Sequence, residues 1–326
     1  MSEKTAGRYG SQASRAWLAV CVLACVILLM TAAFAVAESA APVTDALGRK
    51  VEVGSAGRIV SLGPDVTEIA YALGVGDRII AVDRGSKYPA ATATKVNLGY
   101  RRKLNPEGII SMDADLILAA EDIGPPETIE ILRSLAVPVV FVPEDNSAEG
   151  IARKISIIAG ALSLREKGQA LAKGVLARMR EAARLAAAIP TESRKRVVFF
   201  HGLTRLTAAG DGTAADAVIK LAGGLNPMDE VKGYKAASEE RLIELAPDVI
   251  LMMGDGAGGP TPDEVFSNRA LAATPAGHTR SLIVLDGAYM IGFGPRTADA
   301  VKDLAIALYG NAARRASDED DETSSR

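Results

Sequence analysis

The chain has 326 residues, 48% hydrophobic and 24% charged, with a formal net charge of −3. That is ordinary globular composition, and the length suffices for two domains that each bury a core. A mildly acidic chain lacks the basic footprint of a nucleic-acid binder, so no nucleic-acid partner is expected.

At the N-terminus, Lys4, Arg8 and Arg15 precede an apolar run from Trp17 to Ala37, which ends in Ala35-Val36-Ala37. A positive start, an apolar stretch and a small-x-small end predict a secretory signal peptide over residues 1–37. The run is long enough that an uncleaved anchor stays open as the alternative. Cleavage after Ala37 removes Cys21, Cys25 and Trp17, so the mature chain has neither a disulfide nor a thiol metal site. It leaves 34 basic residues (37 less Lys4, Arg8 and Arg15) against 39 acidic ones (40 less Glu3), a charge of −5.

Short β-branched runs then alternate with helical patterns, the mark of βαβ units and parallel sheets. The candidate strands are 58–61, 79–82, 116–118, 139–142, 197–200, 249–251 and 282–285. The two halves also repeat one another. Glu107–Leu118 aligns with Glu240–Leu251 without a gap, and Gly99-Tyr100 and Gly233-Tyr234 lie just upstream of the two copies. Arg58-Ile-Val and Arg196-Val-Val open the two halves in the same way. Such self-similarity predicts two lobes of one fold.

Between the lobes, Ser147 is placed to cap a helix with Ile151, Ile155 and Ile158 on one face. Ser163-Leu-Arg-Glu166 then reads as a capping box for a second helix, which carries Leu171, Val175 and Met179 toward Pro190. About 25 helical residues span roughly 37 Å, enough to pass from one lobe to the other. The expected fold is α/β: two similar lobes with mainly parallel sheets, joined by one long helix, with a ligand cleft between them. The expected divisions are an N-terminal lobe at 38–162, a linking helix at 163–190, a C-terminal lobe at 191–311 and a disordered acidic tail at 312–326. The tail carries the run Asp318-Glu-Asp-Asp-Glu322.

Four stretches carry a resemblance to a known group: Arg58–Gly74, Leu98–Ser111, Gly212–Asp216 with Leu221–Gly224, and Ala246–Leu251. Together they resemble the helix-linked periplasmic substrate-binding proteins of iron-complex and cobalamin importers, most closely the haem-binding branch. The resemblance spans nearly all of 43–310. It implies a monomeric periplasmic protein that captures haem as transported ligand. It also implies delivery to an inner-membrane ABC permease driven by its ATPase.

The same resemblance makes Tyr100 the axial ligand of the haem iron and Arg102 its helper, because the family places an arginine two residues after the tyrosine. Phenolate suits ferric iron, and neighbouring cations such as Arg101 and Arg102 favour the ionised form. Read without the resemblance, Tyr100 is better taken as a loop tyrosine capping the lobe's core beside a solvated basic triplet. The resemblance further implies that Glu68 and Asp216 dock on the permease, although the family more often has glutamate at the second position. His201, after the strand 197–200, can approach the opposite haem face or simply close a strand end. Tyr234 is the partner of Tyr100 in the repeat. Tyr289 offers apolar surface to a porphyrin, and Arg296 offers a guanidinium to a propionate, unless the segment is only a supporting turn.

Two histidines far apart argue against a bare zinc or manganese site. A ferric siderophore, held by Arg101, Arg102 and Lys103, is the main alternative ligand. Cobalamin is a weaker one, since the mature chain has no tryptophan. No Gly-x-Ser-x-Gly, His-Glu-x-x-His or phosphate loop speaks for an exported enzyme.

Overall fold

The computed structural model describes residues 42–254 and 258–310. The expected signal peptide and acidic tail lie outside the described residues. A small hairpin, β1 (Val43–Thr44) and β2 (Lys50–Val51), leads into the N-terminal lobe. There β3 (Ile59–Leu62), β4 (Ile79–Val82), β5 (Val96–Asn97), β6 (Leu116–Ala120) and β7 (Val139–Val142) form one sheet. Its order is β5-β4-β3-β6-β7, and every pairing is parallel. The crossovers carry helices α1 (Pro64–Ala72), α2 (Pro106–Ile110) and α3 (Pro126–Arg133). All four residues of β7, Val-Val-Phe-Val, are buried, as a parallel strand covered on both faces requires.

Helix α4 (Ala148–Ala161) follows, capped by Ser147, whose hydroxyl accepts the Gly150 amide at 2.9 Å. Ile151, Ile155 and Ile158 are all fully buried. Helix α5 (Arg165–Ala187) then joins the lobes. The expected capping box at its start is not formed. Ser163 has φ 57, Leu164 takes the cap position, and no side chain caps the helix. The reason is tertiary: α5 folds back on α4, and the tight turn holds Leu164 by its amide on the Ala159 carbonyl at 2.8 Å.

In the C-terminal lobe come β8 (Val197–Phe200), β9 (Thr207–Ala209), helix α6 (Ala214–Leu221), β10 (Tyr234–Ala236), helix α7 (Glu239–Leu245) and β11 (Val249–Gly254). Short helices α8 (Pro262–Phe266), α9 (Arg269–Ala272) and α10 (Pro275–Thr279) lead to β12 (Leu282–Asp286). Helix α11 (Gly287–Ile291) and the long α12 (Thr297–Tyr309) close the lobe. The sheet order is β10-β9-β8-β11-β12. Each strand of the repeat thus holds the same place in its sheet, β3 with β8 at the centre and β6 with β11 beside it.

The repeat reaches to single side chains. Asp115 accepts the Arg58 amide at 2.8 Å, and Asp248 accepts the Arg196 amide at 2.7 Å. Arg58 reaches the Met112 carbonyl, as Arg196 reaches the aligned Leu245 carbonyl. The lobes differ at one edge, where β9 runs antiparallel to both β8 and β10. Only residues 201–206 join β8 to β9, too few for a parallel crossover, which needs a dozen or more.

One hydrophobic cluster runs from the N-terminal lobe through α5 to the inner face of the second sheet, where Val197 and Phe199 point. Val198 and Phe200 point into a separate cluster on the outer face. Alternation along a strand produces that division. Helix α5 packs on α4 in one lobe and on α12 in the other. At Gly168 the approach to α4 is so close that a Cβ would lie 2.3 Å from the Ala159 Cβ, whereas Gly174 has open space. Gly174→Ala should therefore gain up to about 1 kcal/mol from helix propensity. Gly168→Ala should lose roughly 1–3 kcal/mol through overpacking. Urea unfolding of both variants checks this, and equal effects would contradict the packing account.

Candidate functional site

Parallel sheets place ligands beyond the carboxyl ends of their strands, because loops and helix N-termini converge there. Both lobes turn that end toward one cavity of about 1050 Å³. From the first lobe it is lined by Asp65 after β3, Asp83 after β4, Tyr100–Arg102 after β5, Asp122 after β6 and Glu144 after β7. From the second lobe come His201 after β8, Thr213 at the start of α6, Tyr234 in β10, Met253 in β11 and Ala288 after β12.

Tyr100 is presented by a turn that glycine makes possible. Gly99 has φ 91, its amide donates to Asn97 Oδ1 at 2.8 Å, and its carbonyl accepts the Arg84 amide at 2.7 Å. The ring is 39% exposed, and the Arg84 guanidinium lies 5.4 Å from its centre. Arg102 is held by Asp122 Oδ2 at 2.7 Å. Burial works against the Arg102 charge, but Asp122 and the Tyr100 hydroxyl outweigh it and raise its pKa. Arg101 bridges Asp122 at 2.8 Å and Glu144 at 3.1 Å.

Across the cavity, Tyr234 is packed edge-on against Phe199 and His201, with ring centres 6.4 and 6.2 Å apart. Burial raises the Tyr234 pKa, partly offset by the Arg102 charge, the Thr213 hydroxyl and the Ala215 amide. His201 is exposed and donates its amide to the Thr207 carbonyl at 3.1 Å. Five of the nine candidate residues, Tyr100, Arg101, Arg102, His201 and Tyr234, therefore line one cavity.

The other four sit elsewhere. Arg296 is not in the cavity wall: its guanidinium and amide both donate to Glu68, at 2.8–2.9 Å. The guanidinium also stacks 3.4 Å from the Tyr88 ring centre and 5.2 Å from that of Tyr289. A propionate would have to displace a carboxylate of the other lobe to reach it. Tyr289 turns its hydroxyl to Asp303 at 2.8 Å, and burial followed by Asp303 raises its pKa. Glu68 and Asp216, expected as docking acids, are both buried. Burial raises the Glu68 pKa against the opposing pull of Arg296, while Asp216 accepts from Lys220 at 2.9 Å and Asn226 at 2.8 Å. Each carboxylate is engaged by neighbours, Glu68 across the lobes by Arg296 and Asp216 within its own lobe by Lys220 and Asn226.

Sequence reasoning missed Asp65, Asp122 and Glu144, which line the cavity, and Lys154 buried behind them. Lys154 is fully buried on α4, 2.6 Å from Asp65 and 3.9 Å from Glu144. Burial opposes its charge, but Asp65 and Glu144 hold it protonated. Asp122 and Glu144 each stand just past a strand end, the one signal that pointed to them.

Residues 59–289 match the family model described as periplasmic binding protein. Among solved structures, the periplasmic haem-binding protein RhuT from Roseiflexus sp. RS-1, in apo form, is 38% identical. The match covers 80% of this chain and 100% of that one, at a TM-score of 0.74. The periplasmic haem-binding protein BhuT in complex with two haems is 34% identical over 80% of this chain and 100% of its own, at a TM-score of 0.73. Among curated proteins, the vitamin B12-binding protein of Vibrio cholerae is 26% identical over 259 residues, covering 77% of this chain and 88% of that one.

Glu68 and Arg296 join the lobes by two hydrogen bonds and an ion-pair contact between residues far apart in the chain. Glu68→Ala strands a guanidinium that is only 24% exposed. It should cost about 2–3 kcal/mol, below the ~3–5 kcal/mol of a fully buried pair because Arg296 keeps some solvent. Denaturant titration measures it, and a change under ~0.5 kcal/mol would place the pair with ordinary surface ion pairs.

Proposed function

The chain belongs to the periplasmic binding protein family, and we propose that it captures haem in the interlobe cavity and delivers it to an ABC permease. The observation that carries this reading is the pairing across one cavity: Tyr100 with Arg102 on the first lobe, Tyr234 with His201 on the second. The cavity, about 1050 Å³, lies at the upper end of the ~300–1000 Å³ usual for small-molecule sites, which suits a macrocycle.

Tyr100 is the proposed iron ligand. Its hydroxyl gives up a proton as phenolate binds ferric iron, and Arg102 stabilises the resulting negative charge. Tyr234 has the same glycine-presented turn, Gly233 with φ 72, but burial disfavours its ionised form. The residue two places on is Ala236, not arginine. His201 and Tyr234 therefore serve the opposite face of the ligand. Two solved haem-binding relatives at 38% and 34% identity support haem. The vitamin B12-binding relative at 26% identity favours cobalamin as the second reading.

For docking, the repeat offers a different pair of acids from those expected. Glu107 and Glu240 occupy aligned positions, each in the first turn of its short helix, and both are exposed. The Glu240 backbone amide and the Ser238 hydroxyl hold the Glu240 carboxyl below its usual pKa. Three residues further, on the same helix face, stand Ile110 and Ile243, exposed by 47% and 50%. Two matching acid-and-isoleucine pairs suit a partner with two matching basic and apolar sites, such as a permease of two similar halves.

Hemin titration of the purified protein should give a saturable tyrosinate-type spectrum. Tyr100→Ala should abolish that charge-transfer signature and weaken binding at least about tenfold, or roughly 1.4 kcal/mol. An unchanged spectrum in the variant moves the ligand to Tyr234 or His201. Saturable cobalamin binding without hemin binding sinks the haem reading. The Glu107→Lys, Glu240→Lys double variant should bind hemin normally yet fail to stimulate ATP hydrolysis by its transporter in proteoliposomes. Full stimulation would exclude these acids from docking.

A further inference from the structure

Glu144 stands in the cavity wall among more carboxylates than cations. Asp65 faces it from α1, Asp122 from the end of β6, Lys154 from α4 and Arg101 from the loop after β5, while Glu121 accepts its backbone amide. Every cation of the group is already engaged. Lys154 lies 2.6 Å from Asp65 and 3.9 Å from Glu144. Arg101 and Arg102 share the same Asp122 oxygen, at 2.8 and 2.7 Å, and Arg101 reaches Glu144 at 3.1 Å. The second Asp122 oxygen is buried without a hydrogen-bond partner among the described residues.

A ligand that carries its own carboxylates must find a cation here. Arg101 lines the cavity with its side chain 21% exposed, and its contact with Glu144 is the longer of its two. Taking Arg101 away leaves Glu144 facing Asp65 and Asp122 with only Lys154 in reach. Three carboxylates in a half-buried pocket cannot all stay ionised cheaply, because each like charge disfavours the others.

We propose that a ligand carboxylate takes Arg101 from Glu144, and that Glu144 binds one proton from solvent as it does so, coupling capture to proton uptake. The proposal rests on the haem reading, in which the carboxylates are the porphyrin propionates. Arg101 then serves as a ligand-binding residue and Glu144 as the group that adjusts the charge of the wall. The empty protein is already near the required balance: burial, with repulsion from Asp65 and Asp122, raises the Glu144 pKa to about 7 against the pull of Lys154 and Arg101.

The sign follows from linkage. A proton taken up on binding makes affinity fall as pH rises above the value at which free Glu144 ionises. Hemin affinity is measured from pH 6 to 9 for the wild type and Glu144→Gln. The proton that Tyr100 loses to iron is common to both and cancels in their ratio. Wild-type affinity relative to Glu144→Gln should fall above pH 7, by up to about tenfold per pH unit. A ratio independent of pH overturns the coupling while leaving haem binding intact. A second pair guards against a poorly folded variant. Arg101→Gln should bind hemin more weakly, and adding Glu144→Gln to it should leave its pH slope unchanged, because no guanidinium remains to be taken. A slope that still changes would assign the proton to Glu144 without Arg101 and reject the exchange. No saturable hemin binding by the wild type would sink the haem reading and the coupling with it.

Discussion

Helix α5 is the constraint on which the rest of the structure depends. It packs on α4 in the first lobe and on α12 in the second, so the two sheets cannot turn far relative to one another. The same helix donates from Arg178 to the Pro295 carbonyl at 2.9 Å, one residue before the Arg296 that Glu68 holds. Close packing at Gly168 fixes α5 on α4, and the Glu68–Arg296 contact ties the first lobe to the second. Packed interiors resist continuous deformation, so this junction favours small, discrete lobe adjustments over wide hinge motion. The cavity is consequently formed before any ligand arrives, which lowers the ordering cost of binding.

The duplication accounts for the form of the cavity, and its defects account for the polarity. Both lobes carry a glycine-presented tyrosine just before the helix that feeds an inner strand. Arg101 and Arg102 follow the first tyrosine, whereas Lys235 and Ala236 follow the second. Guanidinium groups therefore gather beside the first tyrosine and not beside the second, so one fold used twice yields two unequal faces. The break in the second sheet contributes as well. Because β9 returns antiparallel after a short loop, His201 is placed at the turn beside Tyr234 rather than at the base of a crossover.

The cavity wall of the first lobe is also an electrostatic compromise. Its guanidinium groups, which an anionic ligand would seek, are neutralised in the free protein by Asp122 and Glu144. Such pairing lowers the cost of keeping cations in a half-desolvated cleft. It also means that an anionic ligand competes with internal carboxylates, so specificity depends on how readily those acids can be neutralised.

Much of this was legible in the sequence because it rests on local pattern. The runs Val139–Val142 and Val197–Phe200 read as buried parallel strands, Ser147 as a cap, and Glu107–Leu118 against Glu240–Leu251 as a repeat. Alternation, capping and self-similarity each involve residues within one element or one alignment, and the repeat of Glu107–Leu118 in Glu240–Leu251 implies two lobes of one fold. Tertiary structure alone decided which charged residues are available. Glu68 is claimed by Arg296, 228 positions away, and Lys154 by Asp65, 89 positions away. Ser163 loses its cap to the turn between α4 and α5. A charged side chain has no periodicity to reveal its partner. Whether it meets solvent, a ligand or an opposite charge is decided by the desolvation and Coulomb energy of contacts that exist only once the chain has folded.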